Sequence, residues 1–218
     1  MALEVKVWGE YACFTRPEMK VERVSYPVMT PSAARGVLEA IFWKPECAWQ
    51  VREIQVLKPI RYISLLRNEI NDRQSENAAR GWAKTGAGGY DATSTDPKHR
   101  AQRHTLALRD VAYLIKADVV LRDHPEGDAA KYRDQFRRRV ERGQSFSTPY
   151  LGTREFSAFF SAPEDGDRPI DASETIGRML FDLRFAEGRS GAAQPLFFDA
   201  ALQEGVLRVP RDLYARRG

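Results

Sequence analysis

The densest charge in the chain lies in twelve consecutive positions. Lys131, Arg133, Arg137, Arg138, Arg139 and Arg142 stand against Asp134 and Glu141, a local balance of 6 − 2 = +4, which equals the formal net charge of all 218 residues. Guanidinium groups at this density suit phosphate oxygens and base edges, so the run is either a solvated helix face or a grip for a polyanion. The segment that follows, GQSFSTPYLG, is bounded by Gly143 and Gly152 and offers small hydroxyls and backbone N–H groups. Such groups reach phosphate oxygens where a long side chain does not. Together these residues point to a nucleic-acid backbone as partner.

A metal-free cut in RNA would use the polymer's own 2′-hydroxyl as nucleophile. The protein then supplies a base for that hydroxyl, a cation for the crowded phosphorane and an acid for the departing 5′-oxygen, and the product is a 2′,3′-cyclic phosphate. His99, His104 and His124 are scattered without metal-ligand spacing, so neither a metal nor any other cofactor is expected.

The elements that position these residues follow from periodicity. Asp128 is an N-cap candidate, and Tyr132, Phe136 and Val140 recur at i, i+4 and i+8, which makes the basic segment a helix with one apolar face. Residues 3–14 alternate as a first strand. Thr30 and Pro31 open a helix carrying Val37, Leu38 and Ile41 that stops before Pro45. Residues 49–70 read as one long strand bulged or bent at Pro59, Val111, Tyr113 and Ile115 mark a third strand, and 150–161 a fourth. The fold class expected is α+β: a ferredoxin-like, RNA-recognition-like β-α-β-β-α-β domain over residues 1–161, with a long flexible loop at about 71–105. An acidic linker then leads to a C-terminal antiparallel β extension at 175–218.

Composition fits that plan. The chain is 43% hydrophobic and 11% aromatic, enough for a packed core, and no apolar run approaches the roughly 20 residues that span a bilayer. The first residues alternate like a strand, unlike a secretory leader, so the cytoplasm is the expected compartment, with no membrane partner. Of the 34 basic residues 26 are arginine. Cys13 and Cys47 fit no disulfide or zinc pattern and are expected as free buried thiols.

Several stretches together resemble the processing subunit of type I-C (Dvulg-type) CRISPR systems, within the RAMP superfamily: VWGEYACFTRPE, GVLEAIFWKP, VLKPIRY, QRHTLALRDVAYLIKADV, AAKYRDQFRRRVERGQSFSTPYLGTREF and, more weakly, FFDAALQEGVLRVP. The resemblance implies an endoribonuclease that cuts CRISPR repeat RNA and stays on the 5′ end of the guide among the other subunits of the interference complex. It also implies a catalytic tyrosine, lysine and histidine. The lysine falls on Lys131, but the tyrosine position is Phe42 and the histidine position is Tyr132.

Two expectations follow from that departure. Cleavage persists through Lys131 and Tyr132, helped by Lys44, Tyr90, His99 or His104. Alternatively, the protein holds guide RNA or double-stranded DNA without cutting, using Arg133, Arg137, Arg138, Arg139, Arg142, Lys44 and the Gly143–Gly152 loop. A third reading, an RNA-recognition module unrelated to CRISPR, would use Trp8, Tyr11 and Phe14 as stacking aromatics.

Overall fold

Strand β5 (Arg100–Leu121) runs for 22 residues and has partners along its whole length. The computed structural model describes residues 2–71, 75–89, 100–122, 127–185 and 193–216. Strand β1 (Leu3–Ala12) lies antiparallel on one edge of β5, from Leu3↔Ala117 to Ala12↔Leu108. On the opposite edge β3 (Cys47–Val56) and β4 (Tyr62–Ile70) follow one another, covering Leu121 to Tyr113 and Leu108 to Arg100. The long strand expected over 49–70 is thus two strands in line, broken at 57–61 around Pro59, which has no N–H for the ladder. Hydrogen bonds from Leu57 N–H to the Ala112 carbonyl and from Arg109 N–H to the Arg61 carbonyl bridge the break, both at 2.9 Å. Asp110, opposite the break, adopts φ 51°.

Short β2 (Arg23–Val24) runs parallel to β5, and β6 (Phe159–Ser161) closes the free edge of β1. The last strands, β7 (Glu174–Arg184), β8 (Gln194–Gln203) and β9 (Val206–Arg208), form an antiparallel meander. Because β9 pairs with β3 through Ile54↔Leu207, the extension shares the sheet of the first strands, in the order β6-β1-β5-β3-β9-β8-β7. The molecule is therefore a mixed α/β protein built on a curled, mostly antiparallel sheet.

Helices α1 (Pro31–Ile41) and α3 (Ala129–Glu141) pack on one face of that sheet. The Thr30 side chain accepts a hydrogen bond from Ala33 N–H at the start of α1, with Pro31 at the first helical position. In α3 the stripe of Tyr132, Phe136 and Val140 is 2%, 0% and 5% exposed. At roughly 2 kcal/mol for each buried side chain, that stripe is what fixes the basic helix to the sheet. Phe136 meets Trp49 of β3 with 4.7 Å between ring centroids.

Residues 71–105 differ from the single loop expected there. Helix α2 (Glu76–Thr85) occupies the middle, capped by Ser75 and ended by Gly86, and β5 has already begun at Arg100. The fourth strand is also shorter than expected, three residues instead of twelve, because the chain turns at Leu151 and Gly152 before reaching β1. The acidic linker folds back on the sheet, where Glu164 and Asp167 hold the Lys6 ammonium at 2.9 and 2.7 Å. Cys13 and Cys47 are free and buried.

Candidate nucleic-acid interface

Helix α3 presents its two ends to different tasks. At its start the Asp128 carboxylate accepts from Lys131 N–H at 2.9 Å, which fixes the first turn. The exposed Lys131 side chain folds back over Gly127: a Cβ there would lie 2.6 Å from the lysine Cδ. The lysine ammonium sits 5.9 Å from the centroid of the Tyr132 ring. A cation at the positive end of a helix concentrates potential that an anionic phosphate would relieve.

Tyr132 points the other way. Its side chain is 2% exposed, and its ring lies against that of Phe42 with 6.5 Å between centroids. Phe42, the C-cap of α1, is 1% exposed and is overlaid by the Arg139 guanidinium 5.5 Å from its ring centroid. The two positions that depart from the family pattern are therefore neighbours, and both are core. Lys131 and Tyr132 adjoin in sequence, but only the first reaches solvent.

The arginines divide into two sets. Arg139 donates to the Ile41 carbonyl at 3.0 Å, so it braces the C-terminus of α1, and Arg137 pairs with Asp134 at 3.2 Å. The Arg138 Nε donates to the Asp134 carbonyl. Among the described residues Lys44, Arg133 and Arg142 make no ion pair, which leaves their charge for an anionic partner.

The loop after α3 serves the fold more than a ligand. Gly143, at φ 62°, ends the helix with its N–H on Val140, while Gln144 N–H returns to the Arg139 carbonyl at 2.9 Å. Phe146 and Ser147 N–H both donate to the Ala40 carbonyl, at 2.8 and 3.0 Å, and so cap α1. The N–H groups expected to hold phosphate at these positions are thus engaged by helix carbonyls. Gly152, at φ 87°, packs so closely on the end of β1 that a Cβ would overlap the Cys13 carbonyl oxygen.

Of the proposed helpers, Tyr90 and His99 lie outside the described residues. His104 is on β5 opposite Leu66, fifteen residues before Val119, which pairs with Trp49 under α3. That is a path on the order of 50 Å along the strand, too long for a role at Lys131. Phe14 is 2% exposed and edge-on to Tyr113, so it cannot stack on a base. Trp8 stacks on Phe159 on the opposite face of the sheet, 6.1 Å between centroids. Among the described residues no group of three or more His, Cys, Asp or Glu is placed to hold a metal ion, and no helix is long and apolar enough to cross a membrane.

One feature of the interface has no counterpart in the sequence motifs. Trp43 and Phe146 stack at 6.0 Å and 29°, exposed by 50% and 64%. They are 103 positions apart and meet only because the Phe146 backbone caps α1; the signal available in sequence was a tryptophan just past a helix end beside Lys44 and Pro45.

The family model of the CRISPR-associated protein Cas5d matches residues 2–210. A curated relative from Thermus thermophilus, named CRISPR pre-crRNA endoribonuclease Cas5d, is 50% identical over 97% of this chain and 93% of its own. A second with the same name, from Mannheimia succiniciproducens, is 44% identical over 95% and 94%. A crystal structure described as a CRISPR-associated protein superposes with a TM-score of 0.66 at 20% identity, covering 96% of this chain and 92% of the other, and so shares the fold. The exposed lysine, the basic helix and these likenesses converge: the chain belongs to the Cas5d family of CRISPR-associated proteins.

Proposed function

We propose that this protein binds CRISPR repeat RNA and cuts the precursor without metal. The repeat's 2′-hydroxyl gives its proton to water as its oxygen attacks the adjacent phosphorus, the bond from phosphorus to the 5′-oxygen breaks, that oxygen takes a proton from water, and the products are a 2′,3′-cyclic phosphate and a 5′-hydroxyl. Lys131 steadies the charge on the phosphorane. The single observation that carries this reading is its exposed ammonium at the first turn of a helix whose far side is basic, in a chain half identical to a named pre-crRNA endoribonuclease. Tyr132 stands where the family places an imidazole, yet its ring is in the core, so we assign it the task of seating the helix start on Phe42. Arg133, Arg137, Arg138, Arg142 and Lys44 hold the RNA backbone, with Arg139 aligning α3 against α1.

The sheet order β6-β1-β5-β3 with α1 and α3 on one face supports a ferredoxin-like core, with residues 175–218 as a buttress. After cutting, the protein keeps the 5′ handle of the guide as a cytoplasmic subunit of the type I-C interference complex. A second reading, a subunit that holds RNA or double-stranded DNA without cutting, is favoured by one observation: Phe42 has no proton to exchange.

Incubation with repeat RNA in EDTA separates the readings. A cut ending in a cyclic phosphate is expected. Retardation without a cut would leave the binding role alone, and no preference for the repeat over unrelated RNA would overturn both.

A further inference from the structure

We propose that Trp43 and Phe146 form a platform on which one unpaired base of the bound RNA stacks. This rests on the RNA-binding reading above and adds a contact that carries no charge. Both rings are open to water, 50% and 64% exposed, and neither belongs to the core cluster. Their backbones are nevertheless rigid. Trp43 follows Phe42, whose N–H donates to Leu38 at 2.9 Å and whose carbonyl accepts the Trp49 indole N–H at 3.1 Å. Phe146 is tied by its own N–H to the last turn of α1. Two aromatic faces held rigidly in solvent lose little freedom when a flat partner covers them.

The surroundings select the partner. Lys44 adjoins Trp43 in the chain, and exposed Arg138 and Arg142 end the helix that leads to Phe146. A ring system flanked by cations matches a nucleotide, which brings a π face and a phosphate together. Lys131 and Glu141 are ten residues apart on α3, about 15 Å at the helical rise. The platform, just beyond that end, is thus a few nucleotides from the proposed point of cleavage.

The test is equilibrium binding of the whole protein to its repeat RNA carrying 2-aminopurine at single positions, measured across a salt series. Melting curves of each variant check folding. Trp43→Ala and Phe146→Ala are each expected to weaken binding about ten-fold, with little change in the slope of log affinity against log salt, and to abolish quenching at one probe position. Trp43→Phe should retain most of the affinity, whereas Arg142→Ala should lower the salt slope by about 1. If Trp43→Ala stays within two-fold of the parent while Arg142→Ala is weakened, the platform is wrong and the RNA-binding reading stands. If the aromatic variants keep RNA affinity but lose association with other complex subunits, the pair is a protein contact and the proposal falls. Failure of the parent protein to bind repeat RNA would remove the RNA-binding reading and the platform with it.

Discussion

The rings of Phe42 and Tyr132 face each other across the junction of α1 and α3, 6.5 Å between centroids and 1% and 2% exposed. The two positions to which the family resemblance assigns a catalytic phenol and an imidazole meet here in one buried ring contact. The charge beside them, on Lys131, is left at the surface. Removal of the tyrosine hydroxyl therefore separates a chemical role from a packing role. Tyr132→Phe is expected to leave the rate of repeat cleavage within about three-fold of the parent. Lys131→Ala should lower it about 100-fold, the typical effect of losing one transition-state contact, while weakening binding only modestly. Single-turnover kinetics with saturating enzyme measure both, and a large loss in Tyr132→Phe would make the hydroxyl a catalytic group.

Gly152 predicts a purely structural lesion. Its φ of 87° and the Cys13 carbonyl oxygen, which stands where a Cβ would have to go, leave no room for Ala. Gly152→Ala should cost roughly 3 kcal/mol or more. Urea denaturation gives that number; a cost below about 1 kcal/mol would mean that the turn relaxes freely.

The C-terminal strands are tied to α1 through Arg35, whose Nε and Nη2 donate to the Asp182 carboxylate at 3.0 and 2.9 Å. Asp182 is 3% exposed. Arg35→Ala takes the guanidinium away from a buried carboxylate and should cost about 3 kcal/mol. The double variant Arg35→Met with Asp182→Leu should recover much of that loss, because the buried carboxylate is then gone and Glu39, the other partner of Arg35, is partly open to water. Thermal and urea unfolding of the two variants test the difference.

The clasp on the acidic linker predicts a pH dependence. Hydrogen bonds to Asp167 and Glu164 raise the Lys6 ammonium above its ordinary 10.5, so its contribution is full below that value and is lost as pH rises through the folded one. Burial pushes the Asp167 carboxyl up, but bonds from Lys6 and Glu164 N–H more than offset this and hold it below 3.8. Its contribution is present above 3.8 and is lost as pH falls through the folded value. The stability gap between the parent and Lys6→Met should therefore be widest near neutrality and narrow below about 3.8 and above 10.5. A gap that stays constant across acid and alkaline titration would remove the clasp as its cause.

Local pattern is readable wherever one face is buried. The stripe of Tyr132, Phe136 and Val140, the Thr30–Pro31 start of α1 and the alternation of β1 all stand as expected, since burial imposes the helical and strand periods on the sequence. Helix α2 escapes such a reading because none of its residues is buried, although Ser75 and Gly86 mark its ends. The fourth strand is expected too long because alternation does not reveal that Gly152 must turn onto Cys13. At the interface, the charge of α3 is legible. The destination of the Phe146 and Ser147 N–H groups is not, because the Ala40 carbonyl that receives them belongs to a helix about a hundred residues earlier.

On the proposed RNA-binding role, that arrangement bears on how quickly the partner would be captured. The Ala40 carbonyl receives both Phe146 and Ser147, so contacts within the protein itself hold the segment after α3. A loop held this way would leave little ordering for the encounter, and association would then be governed by electrostatic attraction and diffusion.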